Sequence, residues 1–326
     1  MRIVVTDCDH ATLDIERDVV AAAGGDFTLN QTNAPADVIA GAQGADGLIV
    51  QYAKITREVL EALPDVKVVS RYGVGVDTVD IEAATELGVA VCNVPDYGTE
   101  AVSDHAIALI LGAIRGLVNL DRGIRRGEHD LGPALPIRQF SNQTVGVLGC
   151  GRIGSATARK AAALGFTVLV HDVLFTPGEV RPEGWLAVSR EQLLAESDVI
   201  TVHTPLDAAS LHLLDDAAFA AMKPGAILVN TARGGVVDSD ALVAALESGR
   251  LHAAGIDVLE EEPIAADHPL ARFDNVILTP HAAFYTEESY SELKRRTAEN
   301  AVDVVAGKRP RNILNPEVLQ AGRAAR

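Results

Sequence analysis

A chain of 326 residues, 48% of them hydrophobic, is long for one core and natural for two. Its formal charge of −17 at neutral pH argues against a nucleic-acid or anionic-membrane surface, but leaves local sites for small anions open. Cys8, Cys92 and Cys150 stand far apart without metal-ligand spacing, so they read as buried reduced thiols, and no metal site is expected.

Residues 3–6 read as a first strand, with no charged-then-apolar leader ahead of it. No apolar stretch reaches the length of a membrane span, and a cytoplasmic protein is expected. Strands over 27–30, 47–50, 66–70 and 88–92 then alternate with helices over 15–23, 35–42, 57–63 and 81–87. Gly24-Gly25, Gly44 and Pro64 close the first three helices. Such alternation predicts an α/β fold with a parallel sheet and right-handed crossovers. Two strand ends stand out. Gln51-Tyr52-Ala53-Lys54 follows the third strand, and Arg71-Tyr72-Gly73-Val74-Gly75-Val76-Asp77 follows the fourth. The glycines of the second would let backbone N–H groups approach an anion, although a plain tight turn with an exposed Arg71 fits equally well.

Asn93-Val94-Pro95-Asp96-Tyr97-Gly98 breaks the pattern, and Thr99 and Glu100 open one apolar helix over 101–120. A helix apolar nearly all round is either buried or an oligomer surface. Residues 123–138 read as irregular. This change of texture predicts a domain boundary near Val94, with residues 95–285 as the second domain.

The second domain opens on a strand over 143–148, followed by Gly149-Cys150-Gly151-Arg152-Ile153-Gly154. A helix over 155–164 comes next, then a strand over 166–171 that ends at Asp172. A lone glycine motif is weak, but one between a strand and a helix, with an acid ending the next strand, points to a dinucleotide. Gly149 permits the turn, Gly151 admits the pyrophosphate and Gly154 allows close helix–strand packing. The helix N-terminus adds partial positive charge. Asp172 would accept from ribose hydroxyls and repel a 2′-phosphate, which favours NAD over NADP.

A strand over 198–203 follows, and its end, His203-Thr204-Pro205-Leu206, should pass over the cofactor. His203 alone reads more readily as a packed polar residue than as a catalyst. Three later strand ends carry chemistry. Arg233 follows Asn230-Thr231-Ala232, Glu262 closes the run that begins at Asp257, and His281 follows Thr279-Pro280. A cation, a carboxylate and an imidazole at the carboxyl ends of parallel strands make a site for proton transfer to a carbonyl. The bland alternative is a surface Arg, a loop Glu beside Glu260 and Glu261, and a capping His. A helix over 286–306 is placed to return to the first domain, which then comprises residues 1–94 and 286–326.

The ordered set Arg71 to Asp77, Val94-Pro95, the glycine motif with Asp172, Asn230 to Gly235, Asp257 to Glu262-Pro263 and Pro280-His281 resembles the D-isomer-specific 2-hydroxyacid dehydrogenase family. The stretch His281-Ala282-Ala283-Phe284-Tyr285-Thr286-Glu287, with 81–92, is most similar to its C-terminal-binding protein branch of dehydrogenase-like corepressors. Phe284 stands where that branch commonly carries Trp. The resemblance implies two Rossmann-like doubly wound domains, a flavodoxin-like substrate domain and an NAD-binding domain. It implies that His281 exchanges a proton with the keto oxygen of a small 2-keto acid, that Glu262 orients it, and that Arg233 holds the substrate. Val74 and Gly75 amides and Arg71 would surround the carboxylate, with Tyr52 and Phe284 shaping the pocket. Thr99, Arg152, Ile153, Thr231, Ala232, Asp257 and His203-Thr204-Pro205 would join the glycines and Asp172 on the cofactor. A homodimer through the NAD-binding domain is implied as well. Two function classes stand: an NAD-dependent reductase of 2-keto acids, and an NAD(H)-responsive corepressor-like binding protein. The intact catalytic trio favours the enzyme, and Phe284 favours a keto acid with a medium apolar tail over a dianionic one.

Overall fold

The computed structural model describes residues 1–325. The chain divides into two compact units: Met1–Gly98 together with the chain from Thr286 on, and Thr99–Tyr285.

In the first unit, β1 (Arg2–Val5), β2 (Asp26–Leu29), β3 (Gly47–Val50), β4 (Val68–Arg71) and β5 (Ala90–Cys92) form a parallel sheet. Their order is β2-β1-β3-β4-β5. The crossovers are α1 (Asp14–Ala22), α2 (Pro35–Gly41), α3 (Arg57–Ala62) and α4 (Ile81–Glu86). Every residue of β3 is buried, as a strand covered by helices on both faces must be. Fully buried side chains such as Ile3, Leu48 and Ile49 each contribute roughly 1.5–3 kcal/mol. Thr56 and Asp80 start α3 and α4 by accepting the Val59 and Ala83 amides. The chain stays in this unit beyond Val94. Val94 N donates to Gly73 O at 2.9 Å, Asn300 donates to Asn93 O at 3.1 Å, and Arg296 pairs with Asp96 at 2.6 Å. The boundary therefore falls after Gly98, four residues past the expected break (98 − 94).

The second unit begins with α5 (Thr99–Ile114) and α6 (Leu117–Arg125). Then follow β6 (Thr144–Leu148), α7 (Arg152–Ala163), β7 (Thr167–His171), β8 (Leu186–Ala187), α8 (Arg190–Glu196) and β9 (Val199–Val202). After these come α9 (Asp216–Ala221), β10 (Ala226–Asn230), α10 (Ser239–Glu247), β11 (Leu251–Ile256) and β12 (Val276–Leu278). The seven strands are parallel, in the order β12-β11-β10-β9-β6-β7-β8. The direction of winding reverses between β6 and β9, which is where such sheets open a ligand crevice.

The single helix expected over 101–120 is two. Gly116 adopts φ 58°, in the left-handed region, and the axes of α5 and α6 differ by 60°. A Cβ at Gly116 would stand 2.6 Å from the Ala134 Cβ, so the break depends on glycine. Ala106, Leu109, Ile110, Ala113 and Ile114 of α5 are buried within their own unit, where α5 packs on α7, β10 and β11. Of the two readings open for the apolar helix, burial accounts for these side chains of α5. Exposed apolar side chains lie further on instead: Leu117, Ile124, Leu131 and Leu135 are each more than half exposed. No single helix among the described residues is long and apolar enough to cross a membrane.

The chain returns to the first unit through α11 (Glu287–Val305) and α12 (Val318–Ala321). Thr286 and Ser289 form a reciprocal capping box at the start of α11. The helix lies on β3 and β4, where Ser70 Oγ donates to Thr297 O at 2.8 Å. All three cysteines are free and buried, and burial raises the Cys92 thiol far above its ordinary range.

Candidate active site

Within the second unit, the residues singled out in the sequence gather at the carboxyl ends of one sheet. Gly149 to Gly154 follow β6, Asp172 follows β7, His203 to Pro205 follow β9, and Thr231 to Arg233 follow β10. Asp257 and Glu262 follow β11, His281 and Phe284 follow β12, and Thr99 is the first residue of α5. Adjacent strands therefore deliver the cofactor motif and the catalytic candidates to one edge.

The glycine turn has the form a dinucleotide needs. Gly149 has φ 88°, and a Cβ on it would come within 2.8 Å of the His203 and Thr204 backbone, so the two strand ends at the switch point close only over glycine. A Cβ on Gly151 would meet nothing within 4 Å, and this residue caps α7 with no side-chain hydrogen bond. The helix starts at Arg152, three residues before the expected Ser155 (155 − 152), so its first amides face open space. Those amides and the helix dipole suit a pyrophosphate. Asp172 is set by two backbone donors, Cys150 N at 2.9 Å and Leu174 N at 3.0 Å, which tie the acid to the glycine loop and leave lone pairs for ribose hydroxyls. The His203 ring bonds Thr201 Oγ1 at 3.0 Å through Nε2, while Nδ1 and the Thr231 hydroxyl are buried without a protein partner. Burial pushes the His203 imidazole down to about 3, so it is neutral at physiological pH. NAD fits this donor set, with Gly149 to Gly154 and Asp172 for the pyrophosphate and adenosine, and His203 and Thr231 toward the remainder.

The candidate trio Arg233, Glu262 and His281 comes from three loops, those after β10, β11 and β12. His281 Nδ1–H donates to Glu262 Oε2 at 2.8 Å, which leaves Nε2 for a substrate. Leu259 N donates to the other Glu262 oxygen at 2.9 Å. Burial would raise the Glu262 carboxyl, but the His281 bond and charge, the Leu259 amide and the Arg233 charge outweigh it and hold it below its usual value. Gly234 brings Arg233 alongside, because a Cβ there would collide with the Leu259 carbonyl group. Arg233 Nη1 donates to Ala232 O at 2.7 Å, and Asn230 braces the turn through Ala232 N and Arg233 O at 3.0 and 2.9 Å. The Phe284 ring stands edge-on to His281, with centroids 6.4 Å apart. A cation for a carboxylate, an imidazole backed by an acid and an apolar wall thus face one another at the strand ends.

Asp257, placed on the cofactor side from the sequence, has a further task. Its buried carboxylate accepts from Thr279 Oγ1 at 2.6 Å, Ala282 N at 2.8 Å and Ala283 N at 3.0 Å. His105 and Thr279, which sequence reasoning missed, meet here: His105 Nε2 lies 3.0 Å from Thr279 Oγ1. They are 174 residues apart and belong to no local pattern.

In the first unit, Tyr52 and Arg71 leave the neighbouring strands β3 and β4, and Val74 and Gly75 follow in the next loop. Tyr52 OH donates to Asp9 Oδ2 at 2.9 Å. Burial and then Asp9 push the phenol up to about 12, so it stays protonated. Asp7, also missed in the sequence, fixes this loop by accepting Tyr52 N at 2.7 Å and Ala53 N at 3.1 Å. Asn93 holds the second loop by donating to Val74 O at 2.7 Å.

A doubly wound dinucleotide domain with an Arg, Glu and His at its strand ends defines an NAD-linked oxidoreductase of carbonyl and hydroxyl groups. Residues 107–283 match the family described as D-isomer specific 2-hydroxyacid dehydrogenase, NAD binding domain. Glyoxylate reductase of Korarchaeum cryptofilum is 39% identical over 82% of this chain and 81% of its own. D-3-phosphoglycerate dehydrogenase of Archaeoglobus fulgidus is 39% identical over 80% of this chain, but only 50% of its own. Among solved structures, the TT0316 protein of Thermus thermophilus superposes with a TM-score of 0.87 at 36% identity, covering 96% of this chain and all of that one. The chain belongs to the D-isomer specific 2-hydroxyacid dehydrogenase family. It is an NAD-dependent oxidoreductase acting on a 2-keto acid and the corresponding 2-hydroxy acid.

Proposed function

We propose that this enzyme reduces a small, monoanionic 2-keto acid, with His281 as proton donor, Glu262 as its orienting base and Arg233 as the substrate anchor. The observation that carries the reading is the 2.8 Å bond between Glu262 and His281 Nδ1. It holds Nδ1–H on the carboxylate and leaves Nε2 toward the substrate, so Nε2 is the atom that delivers the proton in reduction and takes it back in oxidation. When bound, NADH supplies the hydride. His281 Nε2 would give its proton to the keto oxygen, which neutralises the negative charge that reduction of the carbonyl places there. The Arg233 fork holds the carboxylate and steadies the charge developing next to it. Phe284 beside His281 supports an apolar wall and offers no ring N–H to a second anion. The glyoxylate reductases among the relatives agree with a compact substrate. The relatives named above give no support to the corepressor-like reading or to that branch of the family.

The proposal includes a homodimer joined through the NAD-binding unit, with Leu117, Ile124, Leu131 and Leu135 as the apolar contact, and a reducing cytoplasmic setting consistent with three free thiols. The substrate test is kcat/KM with NADH across glyoxylate, pyruvate and 2-ketoisocaproate against oxaloacetate and 3-phosphohydroxypyruvate. The monoanions should lead. A lead for the dianions that disappears in Lys54→Ala would overturn the pocket argument and make Lys54 the selector.

A further inference from the structure

His281 carries its imidazole on an uncommon backbone: φ is 52°, in the left-handed region that non-glycine residues seldom occupy. Such a conformation persists only where the surroundings over-determine it. Here they do so largely through Asp257, with Thr279 O sharing the His281 amide at 3.0 Å. Asp257 O accepts the His281 amide at 2.8 Å, and the Asp257 carboxylate accepts the amides of Ala282 and Ala283 at 2.8 and 3.0 Å. The turn that aims the imidazole is therefore drawn around Asp257.

The remaining lone pair of Oδ1 takes the Thr279 hydroxyl proton at 2.6 Å. A hydroxyl has one proton to give, and Thr279 has spent it on the carboxylate. Its contact with His105 Nε2 at 3.0 Å must then be accepted from Nε2–H, which fixes the tautomer of His105. The same nitrogen stands 3.5 Å from Asp257 Oδ1. Donation runs from His105 on α5 to Thr279 to Asp257, and Asp257 also accepts from three consecutive amides that include that of His281. We infer that His105 is a positioning residue for the proton transfer: it does not touch the reacting atoms, but holds Thr279 and Asp257 so that His281 Nε2 points at the keto oxygen. The inference rests on the reading of His281 as the proton donor.

A misplacement of about 1 Å at a reacting group can cost as much as about 10²-fold in rate. His105→Leu should therefore lower kcat for keto-acid reduction about 10-fold or more, while KM for the keto acid and the affinity for NADH stay near the parent values. The solvent deuterium isotope effect on kcat should rise, because delivery of the proton becomes limiting. His105→Gln, which can place an N–H near the same point, should recover most of the loss. Thr279→Val removes the middle link with little change of shape, and Thr279→Ser should restore it. In the double variant His105→Leu/Thr279→Val the losses should not multiply, since both cut one chain. Parent kcat in His105→Leu, a loss shared equally by NADH affinity, or multiplicative losses in the double variant would overturn the inference. His281→Ala, run alongside, separates the two claims. If it is inactive while His105→Leu is unaffected, only the inference fails; if it is fully active, the proton-donor reading fails.

Discussion

At the scale of single residues, the chemistry depends on the bond between Glu262 and His281. In the proposed reading the acid holds the ring, and the His281 bond and charge in turn help to hold the Glu262 carboxyl below its usual value. Reduction takes its proton from that ring. Glu262→Gln keeps a hydrogen-bond acceptor but removes the charge. It should lower kcat for reduction while leaving substantial activity, with NADH affinity near the parent value. Parent kcat in that variant would show that the carboxylate charge plays no part in the proton transfer. The depressed Glu262 carboxyl also links to stability with a definite sign. A folded-state value below the unfolded one contributes stability above the unfolded carboxylate range, and that contribution is lost as pH falls through the folded value.

Between elements, the decisive contact is the approach of the loop after β10 to the loop after β11 over Gly234. A Cβ there has no room beside the Leu259 carbonyl group, so Gly234→Ala should push the Arg233 turn away from the Glu262 loop. Overpacking of this kind costs roughly 1–3 kcal/mol. The variant should melt several degrees lower and lose kcat/KM for the keto acid about 10-fold, with NADH binding largely kept. Parent kinetics in a folded Gly234→Ala protein would remove the role assigned to this approach. Much of this layer is legible in the sequence. Gly149 to Gly154, Asp172, Arg233, Glu262 and His281 can be read because each closes a short β-branched run, and strand ends share one edge of a parallel sheet. The break at Gly116 is not legible, because the apolar pattern runs through it and the constraint comes from Ala134, in a later segment. Nor is the α7 start at Arg152, since Gly151 caps that helix without a side-chain bond. His105 and Thr279 escape for the same reason: their partnership is made by packing across the fold, and no local period marks it.

For the whole molecule, the two parallel sheets make the scaffold, and the proposed homodimer is assigned to the exposed side chains between Leu117 and Leu135. Leu117 and Ile124 on α6, and Leu131 and Leu135 in the segment after it, are each more than half exposed, and the proposed dimer would cover them. Light scattering at micromolar protein should give twice the mass of the 34.3 kDa chain, and Leu117→Glu with Leu131→Glu should lower it toward the monomer. A monomer mass for the parent protein would remove the dimer. The central claim remains the proton carried by His281. It is tested most directly by steady-state reduction of the best keto acid by His281→Ala, with NADH affinity measured on the same preparation. Turnover should fall about 10²–10⁴-fold, the range for loss of a positioned acid, with NADH affinity nearly unchanged; parent turnover in that variant would contradict the account.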